Sequence, residues 1–420
     1  MTKIKPYSML MFSTYLFFIL IYIEDTIPVG QLFTLFSMCL MLVSYFWMKR
    51  STQLTLPRLN YLLYIFVFLC YCALTILWAR ISSRTISIVR ALIVIFIMIT
   101  VLYTCLYKKT KIEDLLKVVM FGNYTIVFYA IARYGLTTIL ASLTDDLRLT
   151  NDVINANLIG MCAAYAVVIN AYFILYDRIK LTDVLAIPAI IVMAATESRK
   201  AFVIVALGIL AVYMLKNLHV KTLVPSMVKI SVGLVMLAVV GYFILQLPMF
   251  NGILSRMDDL LDIVKGTYDS KTSGYSRVIY NQIGMEIFRE HPIFGIGMHS
   301  AGVYIEEYYG HVHLHNNFIE LLACGGLVGF LIHYSIYAYI AFGFWKYRKY
   351  RDSVYDICLV LFVIRFALGY GYIQYFQIET YFYLLITVLE IDSLRRKHAE
   401  HTKKVWKNNR YAPAAVNVEG

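Results

Sequence analysis

Apolar runs about as long as a bilayer is thick recur along this chain from one end to the other. A helix that crosses the hydrocarbon core needs about 20 apolar residues. Such stretches stand at 7–23, 28–48, 59–79, 86–107, 115–135, 155–176, 181–196, 200–216, 229–247, 317–345, 354–371 and 373–391. Of 420 residues, 60% are apolar and only 15% are charged, where a soluble domain carries about 25% charge. Too few polar side chains remain to cover a water-soluble fold, and disorder is excluded on the same grounds. The reading is an all-α, polytopic membrane helix bundle of about 12 transmembrane helices with a large, partly helical extracytoplasmic loop. The divisions are 1–247 (helices one to nine), 248–316 (loop or cap), 317–391 (helices ten to twelve) and 392–420 (basic tail).

Charge placement orients the bundle. With the loops numbered alternately, one set holds 25 of the 38 Lys and Arg residues, including Lys49, Arg50, Lys108, Lys109, Lys111, Arg348, Lys349 and the tail SLRRKHAEHTKKVWKNNR. That set defines the cytoplasmic side and puts both termini there. The net charge of +12 then reads as a topology signal beside anionic lipid rather than as a nucleic-acid surface. The first run resembles a signal peptide, but Glu24 and Asp25 stand where small residues would be needed for cleavage, so it is read as retained. The seven cysteines all fall in apolar runs and read as small packed hydrophobes, without a disulfide framework or CxxC pattern.

Two outside segments, about 136–154 and 248–316, are longer than ordinary connections. In the second, SRMDDLLDIVKG and GYSRVIYNQIGMEIFREHP are amphipathic. The latter is expected to be a helix with Ser273 as a cap and Pro292 as its stop. Asp258, Asp259 and Asp262 read as a solvated helix face, with a divalent-ion site as the sharper alternative.

Ionisable groups in an apolar setting are functional candidates, since even low insertion scales charge Arg about 2.5–3.5 kcal/mol. These are Arg90, Arg133, Arg199, Glu320, Arg365 and Glu379. Arg365 and Glu379 are expected to pair between the last two spans as a structural ion pair. Arg199, in ATESRKAF, lies between two stretches that are short for full spans. It is either a snorkelling residue of a tight turn, with Lys200, or part of an anion site at the start of the next helix. In HPIFGIGMHSAGVYIEEYYGHVHLHNNFIELLACGGLVGFL, Gly295 and Gly297 read as a turn rather than a nucleotide fingerprint. His311, His313 and His315 alternate, which permits a metal site but supplies no acidic or Cys partner. Asn316 is a candidate cap of the following helix, with Glu320 on the same face. A histidine at the mouth of a span suits general-base work.

REHPIFGIG followed by HLHNNFIELLACGGLVGFL resembles the C-terminal signature of the O-antigen ligase and O-antigen (Wzy-type) polymerase family of membrane glycosyltransferases. In that signature a His-Pro-x-x-Gly-x-Gly turn precedes a His-Asn that opens a span ending in Gly-Leu-x-Gly. TESRKA resembles the family's Ser-Arg motif. NANLIG, after Arg148, resembles its Asn-rich helix start, with Ala156 where a proline commonly stands. The resemblance covers roughly 145–345 and the span count.

It implies an inverting, metal-independent glycosyltransferase without a cofactor, in the bacterial cytoplasmic (inner) membrane with its active site facing outside. The substrates it implies are oligosaccharides on undecaprenyl diphosphate. Carried onto matching positions, the catalytic residues are His315, Arg199 and Arg277. Substrate-binding candidates are Arg148, Asn157, His313, Asn316, Glu320 and Tyr304, with Tyr308 and Tyr309 either stacking on sugars or anchoring at the interface. Guanidinium groups can stabilise the charge growing on a departing diphosphate, each lost donor costing about 3–4 kcal/mol. His315 would take the acceptor's proton. A polymerase that joins repeat units is the first reading, with polysaccharide-assembly proteins as further partners. A ligase acting on finished polymer is the second. A transporter or flippase is the rival of another class, which would predict discontinuous helices in two repeated halves.

Overall fold

The computed structural model describes residues 5–50, 56–144, 149, 155–218, 223–246, 250, 273–309 and 313–410. Every regular element among them is helical. The α-helices are α1 (Pro6–Ile23), α2 (Gly30–Lys49), α3 (Asn60–Leu74), α4 (Ser82–Leu106), α5 (Ile112–Tyr134), α6 (Leu136–Thr144), α7 (Ala156–Tyr176) and α8 (Ala186–Ala195). They continue with α9 (Arg199–Asn217), α10 (Leu223–Leu245), α11 (Ser273–Glu290), α12 (Gly302–Tyr309), α13 (Asn317–Tyr347), α14 (Ser353–Leu368) and α15 (Ile378–Arg410).

A helix stands at each stretch expected to span. Among the described residues nine are long and apolar enough to cross a bilayer. The stretches expected at 181–196, 354–371 and 373–391 are covered by α8 with the 3-10 turn before it, by α14, and by the start of α15, none of which is among those nine. One expectation is corrected: the stretch after Arg199 is not short, because α9 runs 19 residues and qualifies as a full crossing. Another concerns cysteine. Five are buried, but Cys39 and Cys70 are exposed on helix surfaces, where apolar surroundings rather than protein packing accept them. Arg90 and Arg133 also lie exposed on the bundle surface.

Helix α7 is the central post. It packs against α5, α8 and α9 and is buried along most of its length. Its small residues (Ala156, Gly160, Ala163, Ala164, Ala166) let neighbours approach closely, as helix contacts in lipid require. Asn155 caps it, accepting from Asn157 N–H at 2.9 Å.

Cationic loops gather at one end of the bundle. There Arg351 pairs with Asp356 at 2.5 Å, Lys397 with Asp352 at 2.5 Å and Lys180 with Asp177 at 2.6 Å. The same end is tied across helices by Tyr176 O–H donating to Asp356 at 2.6 Å.

The opposite end is organised by a break in α13. Gly326 sits at φ 61°, ψ −170° inside that helix, a conformation open essentially only to glycine. A break frees backbone groups that cannot remain bare in an apolar setting. The turn 291–297 supplies their partners. Leu327 N–H donates to Pro292 O at 2.8 Å and Val328 N–H to Ile293 O at 3.1 Å, while Ile296 and Gly297 N–H donate to Ala323 O and Cys324 O at 3.2 and 2.9 Å. Tyr71 O–H closes the set on Gly325 O at 2.5 Å. The His-Pro-x-x-Gly-x-Gly turn and the Gly-Leu-x-Gly segment are thus one backbone-bonded unit. Gly295 and Gly297 make the turn expected of them, both at positive φ.

The expected pair between Arg365 and Glu379 is present at 3.7 Å, with side chains 2% and 7% exposed. Thr380 accepts from Arg365 at 2.5 Å and Tyr372 donates to Glu379 at 2.8 Å. Removing one partner strands the other charge, which typically costs about 3–5 kcal/mol. Arg365→Ala is therefore expected to lower the thermal unfolding midpoint in detergent sharply. The double change Arg365→Met with Glu379→Gln should recover most of the loss, and a single variant as stable as the parent would contradict the assignment.

Candidate active site

Arg199 is the first residue of α9, directly after Ser198. A helix start carries about half a positive charge, so cations there are ordinarily disfavoured by about 0.3–1 kcal/mol each. This helix nevertheless opens with Arg199 and Lys200 and has no acidic residue in its first turn. Ser198 is 1% exposed, and its hydroxyl has no hydrogen-bond partner among the described residues. Backbone N–H groups, two cations and a spare hydroxyl at one spot have the chemistry that suits an anion such as phosphate. The turn before it is held by α7: a side chain at Gly160 would meet Thr196 Oγ1 at 2.6 Å.

Arg277 lies in the first turns of α11, far along the sequence. The fold nonetheless brings it to the same place. Arg199, Lys200 and Arg277 line one cavity of about 600 Å³. The rest of its wall is almost wholly apolar: Val203, Leu207, Ala211 and Met214 of α9, Ile230 of α10, and Val360, Ile364 and Leu368 of α14. The lining follows α9 from Arg199 to Leu218, a rise of about 28 Å at 1.5 Å per residue. It is a greasy groove roughly as long as a bilayer's hydrocarbon core is thick, with cations at one end.

One turn along α11 from Arg277, the helix meets the His-Asn motif. The rings of Tyr280 and His315 stack with centroids 6.0 Å apart. Asn316 Nδ2 donates to Asn281 Oδ1 at 3.3 Å. Asn316 caps α13 as expected, accepting from Phe318 and Ile319 N–H at 3.0 and 3.3 Å. His315 holds a left-handed backbone, φ 57°, which redirects the chain from the bend at His313 into the helix. Asn317 fastens the α14–α15 connection to this corner: its Oδ1 accepts from Gln374 and Tyr375 N–H at 2.7 and 3.1 Å.

Glu320 is fully buried. Its Oε2 accepts from Leu314 N–H at 2.8 Å, so the carboxylate grips the backbone between His313 and His315. His313 lies against His315, ring centroids 4.3 Å apart. Tyr304 is half-buried and packs on the core. Asn157 is half-buried at the start of α7. Arg148, His311, Asp258, Asp259 and Asp262 lie outside the described residues, as do the side chains of Tyr308 and Tyr309. Among the described residues no group of three His, Cys, Asp or Glu side chains is arranged to hold a metal ion.

Sequence reasoning missed Ser198, Tyr280, Asn281 and His299. The helical spacing of Arg277, Tyr280 and Asn281 could have suggested a shared face, since positions three and four apart are neighbours. His299 gave no local signal.

Fold and site describe a polytopic membrane helix bundle whose cationic corner opens onto an apolar groove. Residues 184–334 match the family described as O-antigen ligase. That stretch holds the Ser-Arg, His-Pro and His-Asn motifs, so the match falls on the residues that carry the resemblance. No curated protein matches the chain.

Proposed function

We propose that this protein is a glycosyltransferase that joins oligosaccharide repeat units carried on undecaprenyl diphosphate, building a surface polysaccharide such as O-antigen, capsule or exopolysaccharide. The observation that carries this reading is the shared groove: two arginines from distant motifs end a long apolar channel. That pairing suits a polyprenyl tail with a diphosphate head. Arg199 and Arg277, with Lys200 and the start of α9, would hold the diphosphate and stabilise the charge it gains on leaving. His315 would accept the proton of the attacking hydroxyl, a contribution of about 10²–10⁴-fold. The acceptor oxygen bonds to the anomeric carbon as the bond to phosphate breaks, from opposite faces, so the configuration inverts. Asn157, His313, Asn316, Tyr304 and Arg148 are proposed sugar or phosphate contacts. The clamp supplies the positive charge a divalent ion would otherwise bring, and activity is expected to survive chelators.

The placement proposed is the bacterial cytoplasmic membrane, with the cationic loops and both termini inside and the site outside. Polymerisation is preferred to ligation because its donor and acceptor are the same lipid class, and a second apolar groove lies beside the first, with Val363 of α14 lining both. Phe318, Phe330, Tyr334 and Phe366 line the second, and Phe318 stands beside the His-Asn corner. The transporter reading loses ground: among the described helices only α13 is broken, with no repeated counterpart.

Deletion of the gene separates the two enzyme readings. Single repeats on the surface acceptor are the expected result. Long polymer stranded on its carrier would instead indicate a lost ligase.

A further inference from the structure

His299 follows the turn that docks into the α13 break, and it too holds a left-handed backbone, φ 60°. Its Nδ1 is 3.5 Å from Glu320 Oε1, and Tyr375 O–H approaches the same nitrogen at 3.5 Å. Its ring lies 6.3 Å from that of His313, which in turn lies 4.3 Å from that of His315. Glu320 therefore meets His299 at one end of this run and the backbone beside His315 at the other. One oxygen faces His299 and the other holds the Leu314 N–H next to His315. Non-glycine residues rarely adopt positive φ, and such strain gathers where geometry serves function. A buried carboxylate also persists only with partners that offset its desolvation.

We propose that Glu320 and His299 are positioning residues for His315. Glu320 fixes the segment that presents His315, and its negative charge steadies the imidazolium formed during transfer. The inference rests on the glycosyltransferase reading above. In the step concerned, the acceptor hydroxyl gives its proton to His315 while its oxygen bonds to the anomeric carbon. The electron pair of the broken bond leaves with the diphosphate. The positive charge left on His315 lies at one end of an imidazole run whose other end meets the Glu320 carboxylate. The titratable groups facing His299 are Glu320 and Cys324 of α13, Tyr375 of the α14–α15 connection, and His313.

The test uses the full chain in nanodiscs with undecaprenyl-diphosphate-linked repeat units. Glu320→Gln keeps an oxygen for the Leu314 N–H but removes the charge. It is expected to lower kcat about tenfold with KM little changed. The acid limb of the kcat/KM profile should move toward lower pH by roughly half a unit to one unit, because an imidazole without a nearby anion protonates less readily. Glu320→Asp should keep the limb in place while lowering kcat. His299→Asn, which tolerates the left-handed backbone, should lower kcat several-fold. A Glu320→Gln enzyme with the parental kcat and pH profile would overturn the proposal. If that variant does not fold, a parental kcat in both Glu320→Asp and His299→Asn overturns it equally. His315→Ala is measured alongside. An inactive His315→Ala beside an unaltered Glu320→Gln sinks the pair alone, whereas an active His315→Ala sinks the base assignment and the pair together.

Discussion

Alanine at Arg199 or Arg277 is expected to cut turnover about 100- to 1,000-fold, the usual loss when one preorganised donor to a developing anion is removed. Both side chains are half-buried at the end of a groove rather than packed in the core. Thermal stability in detergent should therefore change little, and the loss should appear in rate. Lysine is not an equivalent replacement, since it offers a point charge without the planar fork that matches a phosphate; Arg277→Lys should fall between parent and alanine. His315→Ala should cost about 10²–10⁴-fold. The measurement is chain growth by purified protein on diphosphate-linked repeats. Parental rates in all three alanine variants would end the proposed site.

The second large effect is structural. Gly326→Ala places a Cβ against Ile293 O in a conformation that only glycine adopts readily. The backbone penalty alone is about 1–3 kcal/mol, and the overlap adds to it by pushing the 291–297 turn out of the break. The variant is expected to be poorly recovered from membranes or to unfold at markedly lower temperature, and to lose activity because that turn leads directly into His299. Gly325→Ala is the control. Its Cβ would meet Met298 Sδ at 3.2 Å, a flexible side chain that can give way, so a mild effect is expected. Equal stability of parent and Gly326→Ala would show that the break is not what seats the turn.

Much of the scaffold was readable because lipid leaves the backbone few choices. A run such as 155–176 in an apolar setting must satisfy its own N–H and C=O groups, and a helix does so locally. Local chemistry also announced Asn316 as a cap and Arg199 as a helix start. What sequence could not announce depends on distant partners. GGLVG was legible only as the end of a span, and its pairing with the turn at 292–297 is what shows Gly326 to be a break. The resemblance grouped Arg199 and Arg277, but no local pattern marks the apolar groove they share, because α9 and α11 are brought together by the fold. Glu320 was expected on the face of Asn316, but its grip on Leu314 and His299 needed a turn whose course no periodicity encodes. Strain at His299 and His315 is likewise a tertiary property: their identities permit a left-handed backbone, and their neighbours impose it.

The groove along α9 and α14 bears on kinetics as well as binding. A ligand whose tail lies there reaches the enzyme sideways, by diffusion within a two-dimensional film. Its mole fraction among the surrounding lipids, rather than its molarity in the vessel, then sets occupancy. Diluting the substrate with inert phospholipid at constant total amount should slow the reaction, whereas adding buffer should not.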